Sequence, residues 1–143
     1  MVTVRALTFG GLLLALAALP VRAQPAGDPA MALLASADAA EGERIAVVCR
    51  QCHSFDKGGA AMQGPPLWNL AGRPVAAAEG FAYSPALAAL QDKRWDDDSL
   101  SRFLMAPGQA VPGTTMTFFG IKKPKDRADL IAFLRSRADG PPP

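Results

Sequence analysis

Both cysteines of the chain and its only histidine fall within five positions, inside the stretch "VVCRQCHSF" at residues 47–55. Cys49 and Cys52 stand three apart and His53 follows directly. Two thiols at that spacing serve a dithiol redox pair, half of a zinc site, or the covalent attachment of haem. A thioredoxin-like pair opens a helix after a strand, whereas the residues before Cys49 read as helix. Zinc wants four protein ligands, and two cysteines with one histidine leave it one short, with only carboxylates to complete the set. A structural disulfide between these cysteines would close so small a loop that it would restrain the unfolded chain little. The histidine selects haem, because C-x-x-C-H is the sequence at which haem is attached. Sulfurs one helical turn apart can form thioethers with the two vinyl edges of a porphyrin, and the adjacent imidazole can turn onto the iron.

The sixth position of that iron separates electron transfer from ligand chemistry. With no second histidine, a pair of histidines from this chain is excluded. The thioether candidates after residue 23 are Met31, Met62, Met105 and Met116. Met31 lies in the N-terminal leader and Met105 among residues that read as helix, where methionine is usually core or surface. Met62 is nine residues beyond His53, a short path around a porphyrin edge. Met116, in the Pro/Gly-rich loop "VPGTTMTFF", is free to cross to the opposite face and is the favoured ligand.

The elements that must position these groups are short helices. Asp38 with Glu41 three residues on resembles a capping box and predicts a helix start. Ile45, Val48, Cys49 and Cys52 then form one apolar stripe that carries both thiols to the same side. Residues 57–75 are too rich in glycine and proline for a long regular element. Ser84 and Pro85 predict the N-cap and first residue of a short helix. The acidic run at 96–98 suits the start of another, with Leu100, Phe103 and Leu104 buried and Pro107 ending it. A last helix puts Leu130, Ile131, Phe133 and Leu134 on an apolar face and ends at Gly140. No segment alternates as a strand does. The expected fold class is all-α: several short helices and long loops wrapped around one covalent haem, which supplies the core those loops lack.

Residues 1–23 read as a secretory signal peptide: Arg5, an apolar run closed by Pro20, and small residues before the cleavage point after Ala23. The alternative is a retained anchor, but the run is shorter than the roughly 20 residues a spanning helix needs. The expected layout is then a flexible leader at 24–37, one domain at 38–137 and a disordered Pro-rich tail at 138–143. The full chain has 15 Lys+Arg against 13 Asp+Glu, and Arg5 and Arg22 leave with the signal. The balance that remains is neutral, so no basic field for nucleic acid or anionic lipid is expected. About 120 residues build one compact domain.

The ordered series "EGERIAVVCRQCH", "GPPLWNLAGR", "GFAYS", Trp95, "FLMAPGQAVPGTTMTFFGIKK" and "RADLIAFL" resembles the class I c-type cytochromes, the family of mitochondrial cytochrome c and its bacterial relatives, over residues 38–137. The resemblance implies the cytochrome c fold and one haem c bound through Cys49 and Cys52. It also implies His53 as proximal iron ligand, Met116 as distal ligand, and the Pro65 carbonyl as acceptor for the other imidazole nitrogen. Arg73, Tyr83 and Trp95 match residues that bind a haem propionate; alone, Arg73 reads as a solvated charge and Trp95 as a core aromatic. Ala46 stands where relatives carry an aromatic between the first and last helices, and Phe103 where a tyrosine is common. Gly108, Gln109 and Thr115 replace lysines that ring the haem edge in mitochondrial proteins. Lys122, Lys123, Lys125 and Arg127 are then the candidates for a basic patch.

The function expected is a one-electron carrier in the bacterial periplasm, not an enzyme. It is a monomer without a membrane span after signal cleavage. Redox partner proteins dock transiently near the haem edge, with Phe118 in the contact. Two alternatives differ in class: a haem-bearing subunit of a larger dehydrogenase or oxidase complex, and a haem peroxidase or gas sensor, which would need an open sixth site.

Overall fold

The computed structural model describes residues 27–140. The expected signal peptide, the start of the leader and the last three prolines lie outside the described residues. Among the described residues six α-helices follow one another: α1 (Pro29–Leu33), α2 (Ala39–Ile45), α3 (Pro85–Ala88), α4 (Asp97–Met105), α5 (Pro107–Ala110) and α6 (Pro124–Ser136). Two 3-10 segments, Leu34–Ser36 and Ala46–Gln51, follow α1 and α2. Among the described residues the only bridge between extended backbones is the isolated pair Pro74 and Arg94. The all-α expectation holds.

Helix starts follow the sequence signals. Asp96 caps α4 by accepting from the Ser99 N–H at 2.7 Å, and Ser84 caps α3 through the Leu87 N–H at 3.3 Å. Asp38 caps α2 through the N–H groups of Ala40 and Glu41. The capping box is only half made, because Glu41 pairs with Arg44 and the Asp38 N–H donates instead to Asp129 Oδ1 of α6 at 2.7 Å. A contact across the fold has replaced the local one.

The core lies where α2 crosses α6. Ala46, Phe55, Leu100, Leu104, Leu130, Ile131, Phe133 and Leu134 form one buried cluster. Gly42 makes the close crossing possible: a Cβ there would sit 2.6 Å from the Asp129 carbonyl carbon and 2.8 Å from Phe133 Cβ. Ala46 is wholly buried, so this small side chain belongs to the same tight crossing.

Three expectations change. Residues 29–36, read as part of a mobile leader, form α1 and a 3-10 turn packed on α4 and α6. Their anchor is Asp28, which accepts from Arg127 Nη2 at 2.7 Å and from Ser101 Oγ at 2.8 Å, while Arg127 Nε donates to Ser101 Oγ at 2.9 Å. Periodicity in a short segment cannot show an ion pair 99 residues away. Arg127, counted toward a basic patch, is therefore buried, and its Nη1 donates to the carbonyls of Ile121 and Lys122. Pro107 ends α4 as expected but also starts α5, since its missing N–H and set φ suit a first helical position.

Candidate functional site: a cleft between the thiols and the methionine loop

The helix begun at α2 tightens into a 3-10 segment at Ala46–Gln51, which carries Cys49 and ends at its cap residue Cys52. With about three residues per turn, side chains three apart eclipse. Cys49 and Cys52 therefore project to the same side, and both line one cleft of about 310 Å³. Val48, on the same apolar stripe as the cysteines, lines this cleft with them and is 45% exposed. The cysteines are not bridged to each other, and the Cys52 thiol donates to Gln63 Oε1 at 3.3 Å. Burial, then the nearby Cys52, pushes the Cys49 thiol above its ordinary pKa.

His53 enters the same cleft. Its Nδ1 lies 2.7 Å from the Pro65 carbonyl oxygen, which can only accept. Nδ1 therefore carries the proton, and the lone pair is on Nε2. Burial holds the imidazole below its usual pKa despite the opposing Pro65 carbonyl, so the ring is neutral at pH 7, the form that ligates a metal. The fit is close on the chain side: a Cβ on Gly64 would lie 2.6 Å from Nδ1 and 2.8 Å from Nε2. Sequence reasoning passed over Gly64; its position just before Pro65 was the available signal.

Met116 lines the cleft from the opposite end of the sequence, between Thr115 and Thr117. Met62 is exposed, and Met31 packs against the main core cluster. Met105 lines a separate hollow beyond Trp95 and Phe103. Of the four candidate thioethers only Met116 reaches the cleft.

The polar residues predicted from the resemblance also converge there. Arg73, Tyr83 and Trp95 line the cleft. Arg73 donates from Nη1 to the Trp68 carbonyl at 3.0 Å and from Nη2 to the Pro66 carbonyl at 3.1 Å. Its Nε is buried without a hydrogen-bond partner. Such an orphan calls for an acceptor that the folded chain does not supply. Tyr83 accepts from the Ala78 N–H at 3.2 Å. Trp95 packs against Phe103 with ring centroids 5.0 Å apart and planes tilted by 59°. Phe103 thus packs as an apolar wall where a tyrosine hydroxyl would have had to find a partner.

These features fit a haem. The walls are mostly apolar, with Leu67, Leu100 and Leu130 among them. Two thiols, one neutral imidazole nitrogen and one thioether face the interior, and the orphaned Arg73 Nε suits a propionate oxygen. The donor set does not fit a structural zinc: among the described residues no group of three or more His, Cys, Asp or Glu side chains could hold a metal ion.

Comparisons with known proteins agree. A family model described as Cytochrome c matches residues 39–138. The chain is 51% identical over 104 residues to the cytochrome c homolog of Rickettsia bellii (strain RML369-C), an alignment covering 73% of this chain and 60% of that protein. It is 43% identical over 99 residues to cytochrome c of Gossypium barbadense, covering 68% of this chain and 88% of that one. The chain thus spans about 60% of the length of the rickettsial relatives it matches. Among solved structures, cytochrome cH from Methylobacterium extorquens is similar with a TM-score of 0.64 at 39% identity, covering 69% of this chain and 98% of that one. With a C-x-x-C-H cleft built as haem attachment requires and a family match over its folded core, this chain belongs to the cytochrome c family.

Proposed function

We propose that the chain is an exported one-electron carrier, with haem c held by Cys49 and Cys52 and ligated by His53 and Met116. The observation that carries the reading is that both thiols, the imidazole and a single methionine line one largely apolar cleft. Residues 1–23 act as a cleaved signal, residues 38–137 form the haem domain, and the periplasm is the compartment. Among the described residues no helix is long and apolar enough to cross a membrane.

When bound, the haem supplies a reversible one-electron change. The rest is the work of this chain. The Pro65 carbonyl holds the Nδ1 proton of His53, which orients the ring and makes Nε2 more basic. Met116 offers a neutral, soft sulfur, a ligand that favours the reduced state. Apolar walls keep water from the cleft, and Arg73 places a cation for a propionate. His53 and Met116 would hold the iron from positions fixed by the fold, so a one-electron change there would ask little rearrangement of the chain.

The test is the visible spectrum of the purified ferric and ferrous protein, beside Met116→Ala. Native protein shows the weak far-red band of methionine-to-iron ligation and does not bind carbon monoxide, and the variant loses the band and binds it. Rapid carbon monoxide binding by native protein would refute the closed site and favour an enzyme or sensor. N-terminal sequencing of the exported protein checks cleavage after Ala23.

A further inference from the structure

The His53 ring takes its direction from the Pro65 carbonyl, so whatever holds Pro65 also holds the ring. Residues 65–69 form a strap outside any helix. Pro65 and Pro66 have no N–H, which removes two of its five backbone donors. Of the others, the Leu67 N–H donates to the Ser54 carbonyl at 2.8 Å, and the Asn69 N–H donates to the Arg137 carbonyl, just past α6, at 2.8 Å. One end of the strap is thus tied beside His53 and the other hangs from the residues after α6. Arg73 steadies the middle through the Pro66 and Trp68 carbonyls.

Arg137 is the cap residue of α6, where the helix runs out of internal bonds. Two side chains fix the chain there. Asn69 Nδ2 donates to Asp139 Oδ2 at 3.0 Å, and the Asp139 N–H donates back to Asn69 Oδ1 at 3.0 Å. Trp68 Nε1 donates to the same carboxylate oxygen at 3.3 Å, and Lys57 Nζ pairs with the other at 2.6 Å. Asp139 falls within the stretch expected as a disordered tail, yet it is bonded to the body of the fold. Lys57, then Asn69 and Trp68, hold its pKa down to about 2, so the carboxylate accepts throughout the physiological range. Asn69 stands at φ 55°, a left-handed backbone that glycine adopts at no steric cost. What asparagine adds is the amide that meets Asp139. Exposed bonds of this kind add little to global stability; their effect is on direction.

We propose that Asn69 and Asp139 are positioning residues for the proximal imidazole: their reciprocal hydrogen bonds hang the 65–69 strap from the end of α6 and so keep the Pro65 carbonyl on His53 Nδ1. The proposal rests on the carrier reading above, in which His53 ligates the iron. With the clasp open, the strap keeps Leu67 and Arg73 but loses its outer anchor, and the 2.7 Å separation between Nδ1 and the Pro65 oxygen opens more often. An imidazole that loses its acceptor donates less to ferric iron, so the reduction potential rises.

The test uses haem-loaded Asn69→Gly, Asp139→Ala and Asp139→Asn. Three quantities are read: solvent exchange of the His53 Nδ1 proton by NMR of the ferrous protein, the reduction potential, and the denaturation midpoint. Asn69→Gly and Asp139→Ala speed the exchange by about tenfold or more, as losing two ordinary hydrogen bonds allows, and raise the potential. Asn69→Gly does so with its backbone turn unstrained. Asp139→Asn still accepts from Asn69 and behaves as native. Gly42→Ala, which crowds Asp129 and Phe133 rather than the strap, lowers the midpoint but changes neither exchange nor potential. Native exchange and potential in either Asn69→Gly or Asp139→Ala would overturn the proposal. So would an Asp139→Asn protein that matches Asp139→Ala, which assigns the effect to the charge paired with Lys57. Shifts in Gly42→Ala as large as theirs would equally overturn it, as general loosening. The far-red band is recorded on every sample. Its absence from native protein refutes the carrier reading, whereas its presence beside unchanged exchange and potential in the variants refutes the clasp alone.

Discussion

Replacing Gly64 by alanine probes the proximal side of the cleft most directly. The added Cβ would fall 2.6 Å from His53 Nδ1 and 2.8 Å from Nε2. Ordinary contact lies near 3.5 Å and the ring carbon Cε1 lies nearer than Nδ1, so the imidazole must retreat by at least roughly 0.9 Å or the backbone must give way. The Nδ1 to Pro65 oxygen separation, 2.7 Å in the native fold, would then reach about 3.5 Å, beyond the normal hydrogen-bond range. Losing that bond costs about 1–2 kcal/mol and crowding the ring adds about 1–3 kcal/mol, for a total near 2–5 kcal/mol. At about 4 °C per kcal/mol for a domain of this size, the melting temperature of haem-loaded Gly64→Ala drops by roughly 8–20 °C. The reduction potential rises, because an imidazole without its acceptor is a poorer donor to ferric iron. Gly108→Ala is the control, since a Cβ there meets nothing within 4 Å. Thermal melts and a spectroelectrochemical titration read both effects. A Gly64→Ala protein with native melting temperature and potential would refute the claim that this glycine and the Pro65 carbonyl position His53.

Gly42→Ala forces α2 off α6 and costs about 2–3 kcal/mol by denaturant titration, yet leaves the far-red band intact because neither Asp129 nor Phe133, which the added Cβ meets, lines the cleft. Asp28→Ala leaves the Arg127 guanidinium buried and unpaired, a loss of about 3–5 kcal/mol. Burial raises the Asp28 carboxyl, but the bonds from Ala30, Ser101 and Arg127 outweigh it and hold the pKa below 3.8. The stability this group contributes is therefore present above its unfolded pKa and is lost as pH falls through the lower folded value; Asp28→Ala lacks that part of the acid limb. Arg73→Gln removes a cation from the cleft wall and lowers the reduction potential, while the Pro66 and Trp68 carbonyls lose donors at a cost of about 1–3 kcal/mol.

The chemistry of Cys49, Cys52 and His53 was legible from sequence because it depends on residue type and local spacing, which a linear reading sees in full. The starts of α3 and α4 were equally local, since Ser84 and Asp96 satisfy amide groups within their own first turns. Positions decided by distant partners were not legible. Residues 29–36 became ordered because Asp28 meets Arg127 and Ser101, which only the fold brings near. The same pairing withdrew Arg127 from the surface. Sequence determined which atoms could attach and ligate a haem; tertiary packing decided which methionine reaches the cleft and which arginine keeps an orphaned nitrogen, because burial and charge pairing belong to the folded surface as a whole.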